Sequence, residues 1–340
     1  MPIGGRKNLM ASTGNENDIK VSIICITYNQ VSYIEEAIKS FLMQKTNFEF
    51  EILIHDDAST DGTTEIVRKY QERYPDKIRT VIQSENQYSK GIRVAKTFLW
   101  PLAKGKYIAM CEGDDFWTDS NKLQVQYDYM EAHPDCSTFI HNGWIVSQDK
   151  RRVFNSKPIS NHECKYGTED AIEGLGIKVV TNSYFYRTDI IRRKPSGFFT
   201  KSPTGDYVRL IENSLYGYIF YSPKKMSAHR VLAKNSLTVA WNQNSKLRDE
   251  YISKQMIFLD ALNEETEGKF DAVIREQKKQ QLFEHYVCYR DKDKLKQEPY
   301  RTMLKSMPIK KKIQYYTPGL FQMLRQVAWI LRKEKKIKYE

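Results

Sequence analysis

Short apolar runs alternate with longer amphipathic stretches over the first 120 residues. Residues 21–27 form a continuous, largely β-branched run, which is typical of a strand buried on both faces. Residues 31–44 then place their apolar side chains on one helical face. The same order recurs, with strands predicted at 51–55, 78–83 and 107–111 and helices at 63–74 and 94–104. Strict alternation of strand and helix indicates βαβ units and a parallel sheet.

The alternation is less regular beyond Asn121. Strands are predicted at 137–147, 178–187 and 218–221, and a helix at 206–215. From about residue 245, long charged stretches with helical periodicity replace the mixed pattern. We therefore place a boundary between 235 and 245. It separates an α/β domain (20–240) from a helical, basic extension (241–340), and a flexible segment (1–19) precedes the domain.

The net charge of +12 lies mostly at the C-terminal end. Residues 301–340 hold eleven Lys and Arg against two Glu, so the basicity belongs to a tail and no nucleic-acid partner is expected. The five cysteines are scattered, which is typical of a reducing compartment. The first 20 residues lack the apolar core of a signal peptide, and no run of about 18 apolar residues follows. We therefore expect a cytoplasmic protein.

An acidic loop, Glu112-Gly113-Asp114-Asp115, directly follows the predicted strand 107–111. Ligands of parallel sheets bind at the carboxyl ends of the strands, so this loop is expected at the ligand edge. Three carboxylates within four residues repel one another, and a hard divalent cation relieves that repulsion. Gly113 would let the backbone approach a ligand closely. The alternative is a solvated acidic turn, which the position after a buried strand disfavours.

A second acidic pair, Asp56-Asp57, ends the predicted strand 51–55. Residues 59–62 can be explained as a turn and helix cap, through Thr60 or Asp61. That explanation leaves Asp56 and Asp57 without a partner, and a carboxylate there can accept a hydrogen bond from the ring N–H of uracil or thymine. The local pattern leaves both readings open.

Three segments together resemble the successive motifs of family 2 glycosyltransferases with the GT-A fold: 21–30, 52–63 and 105–117. Their spacing also fits, as does the basic stretch 91–97. The Glu-Gly-Asp-Asp-Phe-Trp version is similar to a bacterial subgroup that builds surface polysaccharides. The resemblance covers about residues 20–235. It implies a Rossmann-like, mostly parallel central sheet flanked by helices, with a nucleotide-binding half (20–120) and an acceptor half (121–240).

The resemblance also implies a nucleoside-diphosphate sugar as donor, UDP-sugar first, and Mn²⁺ or Mg²⁺ as cofactor. The residues expected to bind the nucleotide are Thr27, Tyr28, Asn29, Asp56, Asp57, Lys96 and Asp114. Taken alone, Asn29 can also cap the following helix. The residues expected to hold the metal are Glu112, Asp114, Asp115 and His229. His229 is included because Leu232 stands where the family usually has a histidine after Arg230.

Asp206 matches the acidic residue that family members carry at the start of a helix on the acceptor side. In that role it would take a proton from an acceptor hydroxyl, and a single displacement would invert the configuration of the sugar. Gly205 stands where a second acid often precedes it. The alternative reading of Asp206 is a helix N-cap. The acceptor is expected to be a glycan or a lipid-linked glycan.

Two other functions are compatible with parts of this sequence. Sugar-nucleotide nucleotidyltransferases carry a Gly-rich basic loop after the first strand, whereas here Thr27-Tyr28-Asn29-Gln30 leads into a helix. The other rival is a non-catalytic, basic binding protein. No GxxxxGK[ST] loop is present, which argues against an ATPase.

The tail has an amphipathic pattern between residues 320 and 331, followed by the basic run 333–338. Such a helix either packs on the protein or lies on an anionic membrane with its basic residues against the head groups. The second reading predicts a peripheral position on the inner face of the cell membrane.

Overall fold

The computed structural model describes residues 19–149, 153–154, 158–175, 179–231 and 245–317 of the chain. The strands are β1 Ile19–Thr27, β2 Glu49–Asp56, β3 Ile78–Ile82, β4 Tyr107–Met110, β5 Phe116–Trp117, β6 Cys136–Val146, β7 Val153–Phe154, β8 Cys164–Tyr166, β9 Phe185–Arg187 and β10 Tyr218–Arg230. The helices are α1 Ile34–Leu42, α2 Thr63–Arg73, α3 Lys122–Ala132, α4 Thr168–Asp170, α5 Thr188–Ile191, α6 Gly197–Lys201, α7 Gly205–Ser214, α8 Ser245–Glu265, α9 Asp271–Tyr289, α10 Lys292–Leu295, α11 Tyr300–Ser306 and α12 Ile309–Tyr316.

One sheet runs through the molecule in the order β3-β2-β1-β4-β9-β6-β10-β5, with β7 beside β6 and β8 beside β10. The first four strands are mutually parallel. β9 is antiparallel to both of its neighbours, and β10 runs parallel to β6. The predicted α/β fold, with a central sheet flanked by helices, is confirmed. Because β1 lies between β2 and β4, the segments that follow these three strands meet at one edge.

The sheet is covered by apolar side chains on both faces, as the continuous apolar runs predict. Along β1, Ile24 joins one core cluster while Ile23 and Cys25 join the other. Phe258 and Leu262 of α8 belong to the Ile24 cluster, so the first helix of the C-terminal extension is packed into the same core. The domain boundary predicted near 235–245 falls largely outside the described residues.

Three predicted elements differ from the observed ones. Residues 94–104 form a π-type turn, Ala95–Leu99, followed by a 3-10 turn, Trp100–Leu102, because Pro101 cannot donate a helical hydrogen bond. The strand predicted at 178–187 is confined to β9, after a 3-10 turn at Thr181–Ser183. The strand predicted at 218–221 continues to Arg230.

Within the described residues, none of the helices has the length and apolar character that a membrane crossing requires. The amphipathic helix predicted at 320–331 lies outside the described residues.

The chain that leads into β4 passes very close to the backbone of β1 at Gly105. Its N–H donates to Ser22 Oγ at 2.9 Å. A Cβ atom at Gly105 would lie 2.5 Å from the Ser22 nitrogen and 2.6 Å from the Val21 carbonyl carbon, both of which are backbone atoms. The two central strands can therefore approach only with glycine at this position.

We expect Gly105→Ala to lower the free energy of unfolding by about 1–3 kcal/mol or more, since neither strand can move away without disturbing the core. Gly167→Ala is the matched control, because the nearest atom to its added methyl group is 3.9 Å away. Urea unfolding followed by tryptophan fluorescence measures both. Equal stabilities of the two variants would contradict this view of the β1–β4 contact.

Candidate active site

Both acidic segments lie at the carboxyl edge of the sheet, as predicted. The last residue of β1, Thr27, pairs with Asp56 of β2. The Asp57 N–H donates to the Thr27 carbonyl at 3.0 Å, and the Gly113 N–H donates to the Ile26 carbonyl at 2.9 Å. The end of β1 therefore holds the second acidic pair on one side and the acidic loop on the other.

The loop after β1 is fastened to the loop after β2. Three successive backbone N–H groups donate to side-chain oxygens, in the pairs Asn29 with Ser59 (2.9 Å), Gln30 with Thr63 (2.8 Å) and Val31 with Asp61 (3.1 Å). Asn29 has a left-handed φ of 51°, and its side-chain oxygen accepts from the Thr60 N–H at 2.8 Å. The expected cap of α1 by Asn29 is wrong, because α1 starts after Tyr33 without a side-chain cap. Asn29 instead locks the two loops together.

Asp56 and Asp57 both have protein partners. Asp56 is fully buried. Its Oδ1 accepts two hydrogen bonds from Ser59, one from the backbone N–H at 3.2 Å and one from the hydroxyl at 2.5 Å. The carboxylate of Asp57 accepts from the backbone N–H groups of Gln87 at 2.8 Å and Tyr88 at 3.0 Å. Asp56 thus shapes its own turn, while Asp57 fixes the loop after β3. Their roles in base recognition stay predictions.

The other predicted nucleotide residues lie at different places around this edge. The Thr27 hydroxyl donates to Gln30 Oε1 at 2.8 Å, and Tyr28 is 40 % exposed beside it. Lys96 lies on the ring of Phe199, with its ammonium 4.7 Å from the ring centroid. Lys96 thus contacts α6, which lies in the half of the domain predicted to bind the acceptor.

Asp115 is the most tightly held carboxylate of the acidic loop. It is almost fully buried, and its Oδ1 accepts from the Arg230 backbone N–H at 2.8 Å. Its Oδ2 accepts from Asn182 Nδ2 at 2.9 Å and lies 3.0 Å from His229 Nδ1. The charge of Asp115 raises the pKa of His229 to about 9 against the effect of burial, so the two form an ion pair.

Glu112 and Asp114 lack such partners, since no other described residue donates a hydrogen bond to either carboxylate. Burial, followed by the charges of the neighbouring carboxylates, raises the pKa of Glu112 to about 8 and that of Asp114 to about 6. With all three carboxylates ionised, the loop would therefore carry more negative charge than the surrounding protein neutralises.

A divalent cation would supply the positive charge that the acidic loop lacks. Among the described residues, no group of three His, Cys, Asp or Glu side chains is arranged to hold a metal by itself. Mg²⁺ and similar hard cations are commonly held by only one or two carboxylates, with phosphate oxygens and water as the other ligands. Asp114 and Glu112 offer free carboxylates, and Asp115 keeps one of its roughly four lone-pair positions. The donor set thus suits a metal–diphosphate complex better than a bare ion.

Gly113 lies against side chains of the loop after β1, whereas we expected it to make room for a ligand. A Cβ atom there would lie 2.5 Å from Gln30 Oε1 and 2.8 Å from Thr27 Oγ1. The glycine lets the acidic loop pack against the loop after β1, and so keeps the two halves of the edge in contact.

Arg230, the arginine of the family feature noted in the sequence, contacts the acidic loop directly. Its guanidinium donates to the Asp114 carbonyl and to Glu36 Oε2, the latter at 2.7 Å. It also lies 4.6 Å from the centroid of the Tyr33 ring and is 3 % exposed. One side chain of β10 therefore ties the loop to α1.

Asp206, the predicted base, is the second residue of α7 and is half-buried. The N-cap of α7 is Thr204, so the N-cap alternative for Asp206 is wrong. Its Oδ2 accepts from the Thr181 hydroxyl at 3.4 Å. Although burial is the main cause, the charge of Asp206 contributes to the raised pKa of Glu112, so the two acids face a common region.

The Thr181–Ser183 turn connects the two predicted catalytic elements. Thr181 contacts Asp206, and the next residue, Asn182, contacts Asp115. Asn182 also accepts from Ser227 Oγ at 2.6 Å and, through its carbonyl, from Trp117 Nε1 at 3.1 Å. The sequence predicted a strand here and no functional role, because no local sequence pattern indicates these contacts.

The sequence of this chain is similar to those of known proteins. A family model described as Glycosyl transferase family 2 matches residues 22–194. An uncharacterized protein of Mycobacterium tuberculosis is 32 % identical over 216 residues, which is 62 % of this chain and 58 % of that protein. The chain thus matches little more than half the length of this relative.

Two further proteins are similar, one in sequence and one in structure. The Escherichia coli UDP-Glc:alpha-D-GlcNAc-diphosphoundecaprenol beta-1,3-glucosyltransferase WfaP is 30 % identical over 50 % of this chain and 66 % of its own. Staphylococcus aureus TarS 1-349, solved in complex with UDP-GlcNAc, has a TM-score of 0.56 at 18 % identity, covering 87 % of this chain and 78 % of that chain. The second likeness supports the fold.

Because Asn182 connects Asp115 to β10, we expect substitutions of Asn182 to destabilise the protein, and a charged residue to do so more strongly than a neutral one. Asn182→Asp places a second buried carboxylate against Asp115 and should lower the free energy of unfolding by about 3–5 kcal/mol. Asn182→Ala only removes hydrogen bonds and should cost about 1–3 kcal/mol. Urea unfolding at neutral pH compares them, and an alanine variant that is the less stable of the two would refute this electrostatic account.

Proposed function

Because the chain belongs to glycosyl transferase family 2, we propose that it is an inverting, metal-dependent glycosyltransferase. It would move a sugar from a nucleoside-diphosphate sugar to a glycan or lipid-linked acceptor in the synthesis of a surface polysaccharide. The observation that carries this proposal is the meeting of Asp57, the acidic loop and Asp206 around one edge of the sheet. The geometry does not favour a nucleotidyltransferase, since the loop after β1 is hydrogen-bonded to the loop after β2 and lacks the glycines of such an enzyme.

For the donor we propose a UDP-sugar. The base would stack against the exposed ring of Tyr28, between Thr27 and Asp57, and the ribose and diphosphate would extend towards Asp114. The complex of TarS with UDP-GlcNAc and the UDP-Glc named for WfaP support UDP as the nucleotide. Asn29 and Asp56 would act by keeping the two loops of this pocket in place.

For the metal we propose Mn²⁺ or Mg²⁺, held by Asp114, Asp115 and Glu112 together with the diphosphate. His229 would act through its ion pair with Asp115. A bound cation of this kind stabilises the negative charge that develops on a departing diphosphate. Arg230 keeps the loop in position by holding the Asp114 carbonyl.

For the chemical step we propose Asp206 as general base. Its carboxylate would accept the proton of an acceptor hydroxyl while that oxygen forms a bond to the anomeric carbon. The bond from this carbon to the diphosphate oxygen breaks on the opposite face, so the configuration inverts in one displacement. The Thr181 hydroxyl, which donates to Asp206 Oδ2, would orient the carboxylate.

Asp206→Asn should reduce turnover by about 10²–10⁴-fold, because general-base assistance is worth that much. The dissociation constant of UDP should hardly change, since the residue serves the acceptor. Release of nucleoside diphosphate from a panel of UDP-, GDP- and dTDP-sugars measures turnover, and Asp189→Asn, an exposed acid in the first turn of α5, is the control. A large loss of UDP affinity with nearly unchanged turnover would remove Asp206 from this role.

Asp114→Asn should abolish metal-dependent turnover without lowering the melting temperature, since no other described residue donates to its carboxylate and the change removes one of the mutually repelling charges. Asp115→Asn should also abolish turnover, but it should lower the melting temperature because it disturbs Asn182 and His229. Thermal unfolding and the same release assay, with and without EDTA, test both variants. A folded Asp115→Asn or Asp114→Asn variant that keeps near-full activity in EDTA would disprove the metal mechanism.

The basic tail is proposed to hold the protein reversibly on an anionic membrane surface. Each Lys or Arg near an anionic leaflet contributes roughly 1 kcal/mol, so a few contacts give useful binding. This location would bring the enzyme to a lipid-linked acceptor.

Full-length protein should co-sediment with anionic vesicles and detach at high salt, whereas a version ending at Thr317 should stay in solution. Neutral vesicles serve as the control for charge. Equal sedimentation of both versions would place the attachment elsewhere, α12 included. Absence of binding by either would favour a tail helix that packs on the protein.

A further inference from the structure

Three cationic side chains surround the buried ring of Phe199 in α6. The guanidinium carbons of Arg93 and Arg209 lie 4.9 and 4.3 Å from the ring centroid, and the Lys96 ammonium lies 4.7 Å from it. Cations are attracted to aromatic faces, but three of them around one ring repel one another. This cluster therefore needs negative charge from elsewhere.

The protein supplies only part of that charge. Arg209 forms an ion pair with Glu212 at 2.6 Å. Neither Arg93 nor Lys96 forms an ion pair with any described residue. Burial lowers the pKa of Lys96, and the nearby charge of Arg209 lowers it further. Two positive charges thus remain uncompensated in a partly desolvated place.

Arg93 is held so that half of its guanidinium stays available. Its Nη2 donates to the carbonyls of Phe199 at 3.2 Å and Ser202 at 2.6 Å, which fixes the plane of the group. Its Nη1 makes no hydrogen bond within the described residues. That atom lies on the side of exposed Gly205, where an added methyl group would be 3.7 Å away. Gly205 is the first residue of α7 and immediately precedes Asp206, so the available half lies at the start of the helix that carries the proposed base.

We propose that Arg93 and Lys96 form a subsite for a phosphate group carried by the acceptor. A fixed guanidinium fork beside an ammonium matches the geometry and charge of phosphate. The donor diphosphate is proposed to bind at the acidic loop, whereas this subsite adjoins the start of α7, which carries the proposed base Asp206. This inference rests on the proposed function and narrows its acceptor to a phosphorylated glycan. The relative WfaP is named for a substrate of this kind, a GlcNAc diphosphate lipid.

The test compares two soluble probes, a GlcNAc diphosphate with a short alkyl chain and the alkyl glycoside of GlcNAc without phosphate. Calorimetry measures their binding to the full-length protein, with and without saturating UDP and Mn²⁺. We expect the phosphorylated probe to bind about tenfold more tightly or better. Lys96→Gln and Arg93→Gln should each remove most of that preference, and Lys96→Arg should keep it.

Lys77→Gln is the matched control. Its ammonium also lies over a phenylalanine ring, 4.1 Å from the Phe50 centroid, but at the opposite edge of the sheet. It should change neither probe binding nor UDP binding. If Arg93→Gln fails to fold for want of its carbonyl contacts, Lys96→Gln decides alone, since its ammonium makes no hydrogen bond to a described residue.

Two results would overturn the proposal. Equal binding of the two probes by the wild type would exclude a phosphate subsite. A loss of UDP affinity in Lys96→Gln, with the probe preference intact, would assign these cations to the donor diphosphate. Failure of the wild type to bind UDP or to release it from any donor would refute the transferase function separately, because the contrast between the probes is measured without UDP as well.

Discussion

The electrostatic repulsion among Glu112, Asp114 and Asp115 is the constraint around which this edge of the molecule is arranged. Three carboxylates are held within four residues at the end of β4, in a half-buried place where charge is poorly screened. The contacts that hold them come from β10, whose Arg230 and His229 reach the loop, and from the Thr181–Ser183 turn. The protein fixes the backbone and one carboxylate, and leaves the other two short of positive charge.

The same constraint explains why distant parts of the chain converge here. The loop after β1 is hydrogen-bonded to the loop after β2, and Gly113 lets the acidic loop pack against it, so the protein itself holds these three segments together. The turn that holds Asp115 through Asn182 also holds Asp206 through Thr181. One turn thereby contacts both the acidic loop and Asp206, and the proposed single displacement would require such a fixed spacing between them.

The sequence predicted the first four strands well, because β1, β2 and β4 are buried on both faces and appear as unbroken apolar runs. It also placed the acidic segments correctly, since strand ends in a parallel sheet share an edge. It failed where tertiary contacts decide the structure. Pro101 interrupts the helix predicted at 94–104, Asn29 bonds to another loop instead of capping α1, and the contacts of Arg230 and Asn182 join segments about 45 to 200 residues apart. No local pattern records such pairs.

The most direct test of this account is a crystal structure of the protein with UDP and Mn²⁺, with the cation located by its anomalous scattering. The account predicts one strong peak in contact with the carboxylate of Asp114 or Asp115 and with both phosphates of UDP, with the uracil ring beside Tyr28 and Asp57. UDP bound at this edge without a cation, or a manganese peak away from residues 112–115, would contradict it.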